Sequence, residues 1–251
     1  MSSTADTIHA RIYDAIVEQR LPPGTKLGEE SLCEIFGVGR TLIRRVLQRL
    51  ANEHVVESRP HRGACVARPS VEEAREVFEA RRALEAHVID RLVSGLTPGA
   101  ALRLRRHVAE EREAHAAGDR RRLIRRSGEF HLLLAELAGN RAIARFLREL
   151  VSRTSLIIAV YEAPGESCCS FDDHAAIIEA LVSGRAQVAD QAMRAHLSRI
   201  EQRLRLDRLP ERTVDLQEVL AAGRRAVAGP RRGAPLGARR ARAADVLAAG
   251  D

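Results

Sequence analysis

Leu32-Cys33-Glu34-Ile35-Phe36-Gly37-Val38-Gly39-Arg40-Thr41-Leu42-Ile43-Arg44-Arg45-Val46-Leu47-Gln48-Arg49-Leu50 is the stretch on which the reading of this chain turns. A glycine-bearing turn, Gly37-Val38-Gly39, separates two segments whose apolar residues recur at helical spacing. Leu32, Ile35 and Phe36 precede it; Leu42, Ile43, Val46 and Leu50 follow. The pattern predicts helices over 29–36 and 41–51 that meet as a helix-turn-helix. On the second helix Leu42, Val46 and Leu50 lie four apart and predict a buried stripe. That stripe sends Arg40, Thr41, Arg44, Arg45 and Gln48 to the opposite side. From Val38 to Leu50 there are four arginines and no acid.

Working outward, Ile8, Ile12, Ala15 and Ile16 predict a helix over 8–18, stopped by Leu21-Pro22-Pro23-Gly24. Downstream, the β-prone runs 54–57 and 64–67 flank Ser58-Arg59-Pro60-His61-Arg62-Gly63, a basic connector, and predict a two-stranded wing. A basic helix alone can be no more than a solvated face. As the second helix of a helix-turn-helix followed by a basic wing, it reads as a surface for double-stranded DNA. Arginine's planar fork pairs with guanine O6 and N7 or clamps a phosphate, and Thr41 can meet a thymine methyl. In the wing, Arg62 and Gly63 suit an arginine held at a minor groove, with His61 second to them.

Beyond residue 69 the pattern is helical, opening on Ser70 with Glu72 and Glu73 in the first turn. Helices are predicted near 71–94, 98–117, 119–138, 140–162, 171–183 and 186–206. The expected fold is therefore mainly α: a winged helix-turn-helix of three helices and two wing strands over 1–69, then an all-α antiparallel bundle over 70–209. Residues 210–251 read as a tail rich in Arg, Ala and Gly, disordered from about residue 223. Hydrophobic residues are 45% and aromatics 3%, so the core must be built from Leu, Ile, Val and Ala, which favours packed helices.

The net charge is +7, and its placement matters more than its size. Residues 1–70 carry +2, residues 71–221 are neutral and residues 222–251 carry +5. The DNA reading therefore rests on the arginine helix and not on the total. Without an apolar leader or a run long enough to span a bilayer, the chain is expected in the cytoplasm, away from membranes. Cys33, Cys65, Cys168 and Cys169 form no Cys-x-x-Cys pair and are expected as reduced thiols.

His131, His174 and His196 fall on three different predicted helices of the bundle, each among apolar neighbours at helical spacing. Three imidazoles converging in a core can hold a divalent ion of the zinc or nickel type; equally, each can be a satisfied core histidine. Spacing leaves both open.

The quoted stretch, with Leu21-Pro22-Pro23-Gly24-Thr25-Lys26-Leu27 before it and Pro60-His61-Arg62-Gly63-Ala64 after it, resembles the GntR family of regulators. The helical remainder resembles the FadR-type branch with its effector-binding FCD domain, so that the likeness spans about residues 8–206. The resemblance implies DNA contacts by Arg40, Thr41, Arg44 and Arg62. It implies a homodimer on a palindromic operator, a small organic acid as effector, and repression relieved by that ligand. Gly39, Leu42 and Arg45 stand where relatives usually carry Ser, Pro and Glu, so operator sequence and affinity do not transfer. Metal-binding FCD domains carry Asp or Asn four residues before a Phe-His pair, then two further histidines. Phe130-His131, Asp173-His174 and His196 match, and Ser127 occupies the Asp/Asn position. Arg81 matches a family arginine that meets an effector carboxylate; a salt bridge to Glu85, one helical turn on, is the other reading. Asn140 reads as a helix cap. No His-Glu-x-x-His, no di-iron Glu-x-x-His pair and no nucleophile motif supports the rival of a metal-dependent enzyme. A second rival, a protein coating DNA through its basic tail, predicts that binding depends on residues 222–251 alone.

Overall fold

The structure is a computed structural model describing residues 3–59, 63–162, 171–206 and 216–221. His61 and Arg62 of the wing, Cys168 and Cys169, and the tail from 222 onward lie outside the described residues.

The head begins with α1 (Thr4–Val17), one turn earlier than Ile8, because Ser3 and Asp6 form a reciprocal capping box. Helices α2 (Glu29–Phe36) and α3 (Arg40–Asn52) follow, with Gly37 at φ 66° making the left-handed turn between them. The wing strands are β2 (Val56–Arg59) and β3 (Gly63–Val66). The sheet has three strands, where the sequence predicts two. β1 (Lys26–Leu27) pairs antiparallel with β3, giving the order β1-β3-β2. Two residues are too few to show alternation; β1 forms because the chain leaving Pro22-Pro23-Gly24 runs beside β3, where Gly24 N donates to the Val66 carbonyl at 2.8 Å. Ile8, Ile12, Leu32, Ile43, Leu50 and Val66 share one buried core. On α3 the buried stripe is Ile43, Val46, Leu47 and Leu50, while Leu42 is half-buried at its margin.

The body comprises α4 (Val71–Gly95), α5 (Pro98–Ala116), α6 (Arg120–Leu137), α7 (Arg141–Tyr161), α8 (Phe171–Val182) and α9 (Ala186–Arg203). The links between α4, α5, α6 and α7 are two or three residues long, which makes successive helices antiparallel neighbours. Ser70, Thr97, Asp119 and Asn140 cap their helices as side-chain acceptors, so Asn140 has the structural role expected of it. The core of Val88, Leu104, Phe130, Leu134, Ile177 and Leu197 fills the bundle around α4.

Head and body touch through Leu156 of α7, which is buried in the head core, and through polar contacts. Arg125 on α6 reaches Glu18 at 3.2 Å and Arg120 reaches Gln19 at 3.1 Å. Tyr13 bonds Ser152 on α7, and His54 stands 3.4 Å from Glu149. Gln19 and His54 are also non-glycine residues in the left-handed region, at φ 57° and 55°. Within the segment expected as tail, α10 (Leu216–Ala221) forms and packs against α1 and α2. Among the described residues no helix is long and apolar enough to cross a membrane.

Candidate DNA-reading surface and metal centre

α3 exposes Arg40, Thr41, Arg44, Arg45 and Gln48 together. Arg40 pairs with Glu30, and Arg44 Nε lies 2.9 Å from both carboxylate oxygens of Glu29. Gln48 donates to Asn52 at 3.1 Å, and among the described residues Arg45 makes no ion pair. Ion pairs this exposed are worth at most about 1 kcal/mol, so a phosphate can displace the glutamates at little cost. Gly39 caps α3 without a side-chain bond, leaving the first-turn N–H groups to an outside acceptor. Gly63, at φ 75°, opens β3 at the wing.

The second constellation is inside the bundle. α6, α8 and α9 bring His131, His174 and His196 together, with one ring nitrogen of each within 4.8 Å of the others. All three are buried, His174 and His196 completely. Each presents its Nδ1 to a carboxylate: His131 to Glu85 at 2.5 Å, His174 to Glu111 at 2.8 Å and His196 to Asp173 at 3.2 Å.

The carboxyls are ionised. Burial opposes this for Glu85, but the Arg81 charge and the hydrogen bonds from His131 and Arg81 outweigh it and hold the group to about 2. Glu111 is likewise held to about 2 against burial by His107, 3.4 Å away, and by the hydrogen bond to His174. Asp173 is lowered below the ordinary carboxylate range, burial being outweighed by His196 and Arg199. An ionised carboxylate only accepts, so each Nδ1 carries a proton, and on the neutral rings of His131 and His196 Nε2 keeps its lone pair. Burial pushes His131 down to about 4 despite Glu85, and His196 down to about 3 despite Asp173, so both imidazoles are neutral near pH 7.

The inner nitrogens meet: Nε2 of His174 and Nε2 of His196 are 3.2 Å apart. Two nitrogens each about 2.0–2.1 Å from a tetrahedral zinc stand about 3.3 Å apart, and metal-ligating histidines characteristically donate their other N–H to a carboxylate. The donor set thus fits a divalent ion of the zinc or nickel type.

Arg81 is 2% exposed and lies beside this centre. Its Nε donates to Glu85 at 2.8 Å and its Nη1 to Thr154 at 3.3 Å. Nη2 stands 2.7 Å from the same Glu85 oxygen but off hydrogen-bond geometry, which leaves one buried donor over. The salt-bridge reading of Arg81 is therefore present in the structure, with a donor to spare. Ser127 is buried one turn before His131 on α6.

Sequence reasoning missed the carboxylates that orient the rings. Glu85 was visible only as a partner for Arg81. Glu111 carried a usable signal: it continues the buried α5 positions Leu104 and Val108 at helical spacing, an acid where an apolar residue belongs.

Two family models cover the chain in succession: bacterial regulatory proteins of the gntR family over residues 4–66, and the FCD domain over residues 76–199. The probable D-xylose utilization operon transcriptional repressor of Paenarthrobacter nicotinovorans is 26% identical over 199 residues, covering 78% of this chain and 88% of the relative. The HTH-type transcriptional repressor RspR of Escherichia coli K12 is 26% identical over 193 residues, covering 76% and 84%. Among solved structures, E. coli McbR/YncC shares the fold with a TM-score of 0.70 at 18% identity, covering 80% of this chain and 99% of that one. A putative transcriptional regulator GntR from Rhodococcus sp. RHA1 matches with a TM-score of 0.70 at 24% identity, covering 80% and 97%. With the reading head and the helical bundle matched in that order, the chain belongs to the GntR family of bacterial regulatory proteins, as a DNA-binding transcriptional regulator whose second half is an FCD domain.

Proposed function

We propose that this chain is a cytoplasmic, metabolite-responsive repressor. It binds a two-fold DNA operator as a homodimer and is released by a small organic acid recognised in the bundle at a metal centre. The reading residues are Arg40, Thr41, Arg44, Arg45 and Gln48, with His61, Arg62 and Gly63 at the wing. His131, His174 and His196 hold one divalent ion.

The observation that carries the metal is the convergence of three buried imidazoles, one ring nitrogen of each within 4.8 Å of the others, whose Nδ1 atoms are committed to Glu85, Glu111 and Asp173. A bound cation supplies a Lewis-acid anchor for a ligand carboxylate. Ser127 offers only a neutral hydroxyl at the position where the resembled domains carry Asp or Asn, so a coordination position is left for water or effector. The spare donor of Arg81 is the natural second grip on a carboxylate. That two relatives are named repressors supports the sign of the response.

The test is uptake and stabilisation. Protein stripped with a chelator is expected to rise in melting temperature with zinc or nickel, and to rise further with the right organic acid only when metal is loaded. His131→Ala should abolish the metal response. A wild-type protein that takes up no more metal than His131→Ala overturns the metal centre. No preference for palindromic over random DNA at physiological salt overturns the operator reading.

A further inference from the structure

The body also carries a concavity whose described lining includes no residue of the histidine centre. Gly139, at φ 77°, turns the chain from α6 into α7 within three residues, so the first half of α7 runs back beside α6. With α5 on the other side, the helices leave a groove of about 620 Å³, open to solvent along one face. Its floor is apolar: Leu132 and Leu133 of α6 are half-buried there, with Ala144 of α7 beside them. Small-molecule sites measure about 300–1,000 Å³ and combine an apolar lining with a few placed polar groups. The groove has the size and the floor of such a site.

Its polar groups are unevenly committed. Glu129 accepts from Arg126 at 2.8 Å, and Glu136 from Arg103 at 2.9 Å. Arg126 also pairs with Glu110 at 2.9 Å, yet its Nε is buried with no acceptor. The acids of the lining are therefore answered by arginines. Arg141 and Arg148, by contrast, make no ion pair among the described residues. They lie two turns apart on one face of α7, about 10 Å by helical rise, with Ala144 between them. On the inner side the groove is closed by His107, whose Nε2 donates to the Arg126 carbonyl at 2.8 Å and stands 3.4 Å from Glu111. Glu111 in turn holds His174. Two side chains thus separate the groove from the histidine centre.

We propose that this groove is an accessory ligand site for an amphiphilic organic anion, its charged group held by Arg141 and Arg148 and its apolar part laid on Leu132, Leu133 and Ala144. The site depends neither on the metal centre nor on the operator. Guanidinium forks match the paired oxygens of a carboxylate, sulfonate or phosphate, and two forks without an acid of their own have those bonds to give. The leucine floor rewards an apolar part in proportion to the area it covers, which an inorganic anion cannot supply. An uncharged molecule of the same shape gains the floor and leaves the arginines in water. Neither half of the groove suffices alone, and that combination defines the ligand class.

The test uses the full chain without DNA, treated with a chelator so that the histidine centre holds no metal. The probe is octanesulfonate, whose sulfonate is a poor ligand for zinc, and octanol is its uncharged counterpart; binding is followed by titration calorimetry. The groove variant is Arg141→Gln with Arg148→Gln. A control, Arg121→Gln with Arg145→Gln, removes the same charge from exposed positions of α6 and α7 outside the groove. All four side chains are exposed, and circular dichroism checks that each variant is folded. Octanesulfonate should bind wild type and control alike, and the groove variant about tenfold or more weakly, as befits lost hydrogen bonds to charged groups. Octanol should bind wild type weakly and the groove variant no differently. A sulfonate that fails to bind wild type, or that binds the groove variant equally well, overturns the site. An octanol as tight as the sulfonate overturns the choice of an anion. An equal loss in the control reduces the effect to general attraction by a basic surface and overturns the site as well. Metal uptake and operator preference are read in separate measurements, so their failure is not confused with this one.

Discussion

The reading surface of α3 and the histidine centre of the bundle both depend on charged side chains, but at opposite depths. Arg40 and Arg44 have side chains 60% and 66% exposed and rest against glutamates they can leave. Arg81 is 2% exposed and His174 fully buried, and each is held by ionised carboxylates. Water makes the first set cheap to rearrange, which suits groups that must exchange one anion for another. Its absence makes the second set costly to disturb, which holds the ring nitrogens in place before any ligand arrives.

The contrast breaks most visibly at Glu85. Glu85→Ala leaves the Arg81 charge buried without its partner and frees the His131 ring, a loss of about 3–5 kcal/mol. The melting temperature should fall by roughly 10 °C, at about 2–4 °C per kcal/mol for a chain of this size. A change of a degree or two in a thermal scan would mean that water reaches the centre.

Acid should act next, and on the bundle. His131 and His196 titrate in the folded state at about 4 and about 3, below the ordinary histidine value, so between there and pH 6.5 the unfolded chain binds more protons. The stability they contribute is complete above pH 6.5 and is lost progressively below it, the loss levelling off only once pH has fallen through about 4 for His131 and about 3 for His196. Urea midpoints of chelator-treated protein from pH 7 to 4.5 should decline accordingly, by on the order of a few kcal/mol in all. A flat profile would show that the rings are not buried as neutral groups.

Arg44→Ala sharpens the other side. Operator affinity should drop by about 1–3 kcal/mol, while the melting temperature stays within about a degree because an exposed pair contributes little to folding. If affinity for random DNA falls equally, Arg44 contacts phosphate; if only operator affinity falls, it reads a base. The smallest effect belongs to Gly39→Ser. The added Cβ meets nothing within 4 Å and the hydroxyl restores a cap to α3, for a gain of a few tenths of a kcal/mol in the urea midpoint.

The two depths also differ in how far they could be read beforehand. The α3 surface was legible because its cause is local: apolar residues at Ile43, Val46 and Leu50 dictate which side Arg40, Arg44 and Gln48 occupy. Leu42 shows the tolerance of that reading, since the stripe is broad enough to leave it at the margin. The three histidines were legible as candidates because each sits on its own amphipathic helix. Their carboxylate partners were not, because Glu85 is 46 residues from His131 and Glu111 is 63 residues from His174, and pairing at such separations is decided by packing. Strand β1 and helix α10 went unread for a related reason. Each is too short to carry a period of its own and forms only against a partner already in place.

Helix α6 joins the two depths mechanically. Its eighteen residues touch the head at Arg120 and Arg125 and carry His131 about 16 Å beyond the first and about 9 Å beyond the second, at 1.5 Å per residue. A continuous helix resists bending over that length, so it behaves as a lever with its load at one end and its effort near the middle. Arg125 and His131 lie on one continuous rod, so the distance from the histidine centre to the head is set by a single element and not by a succession of loops.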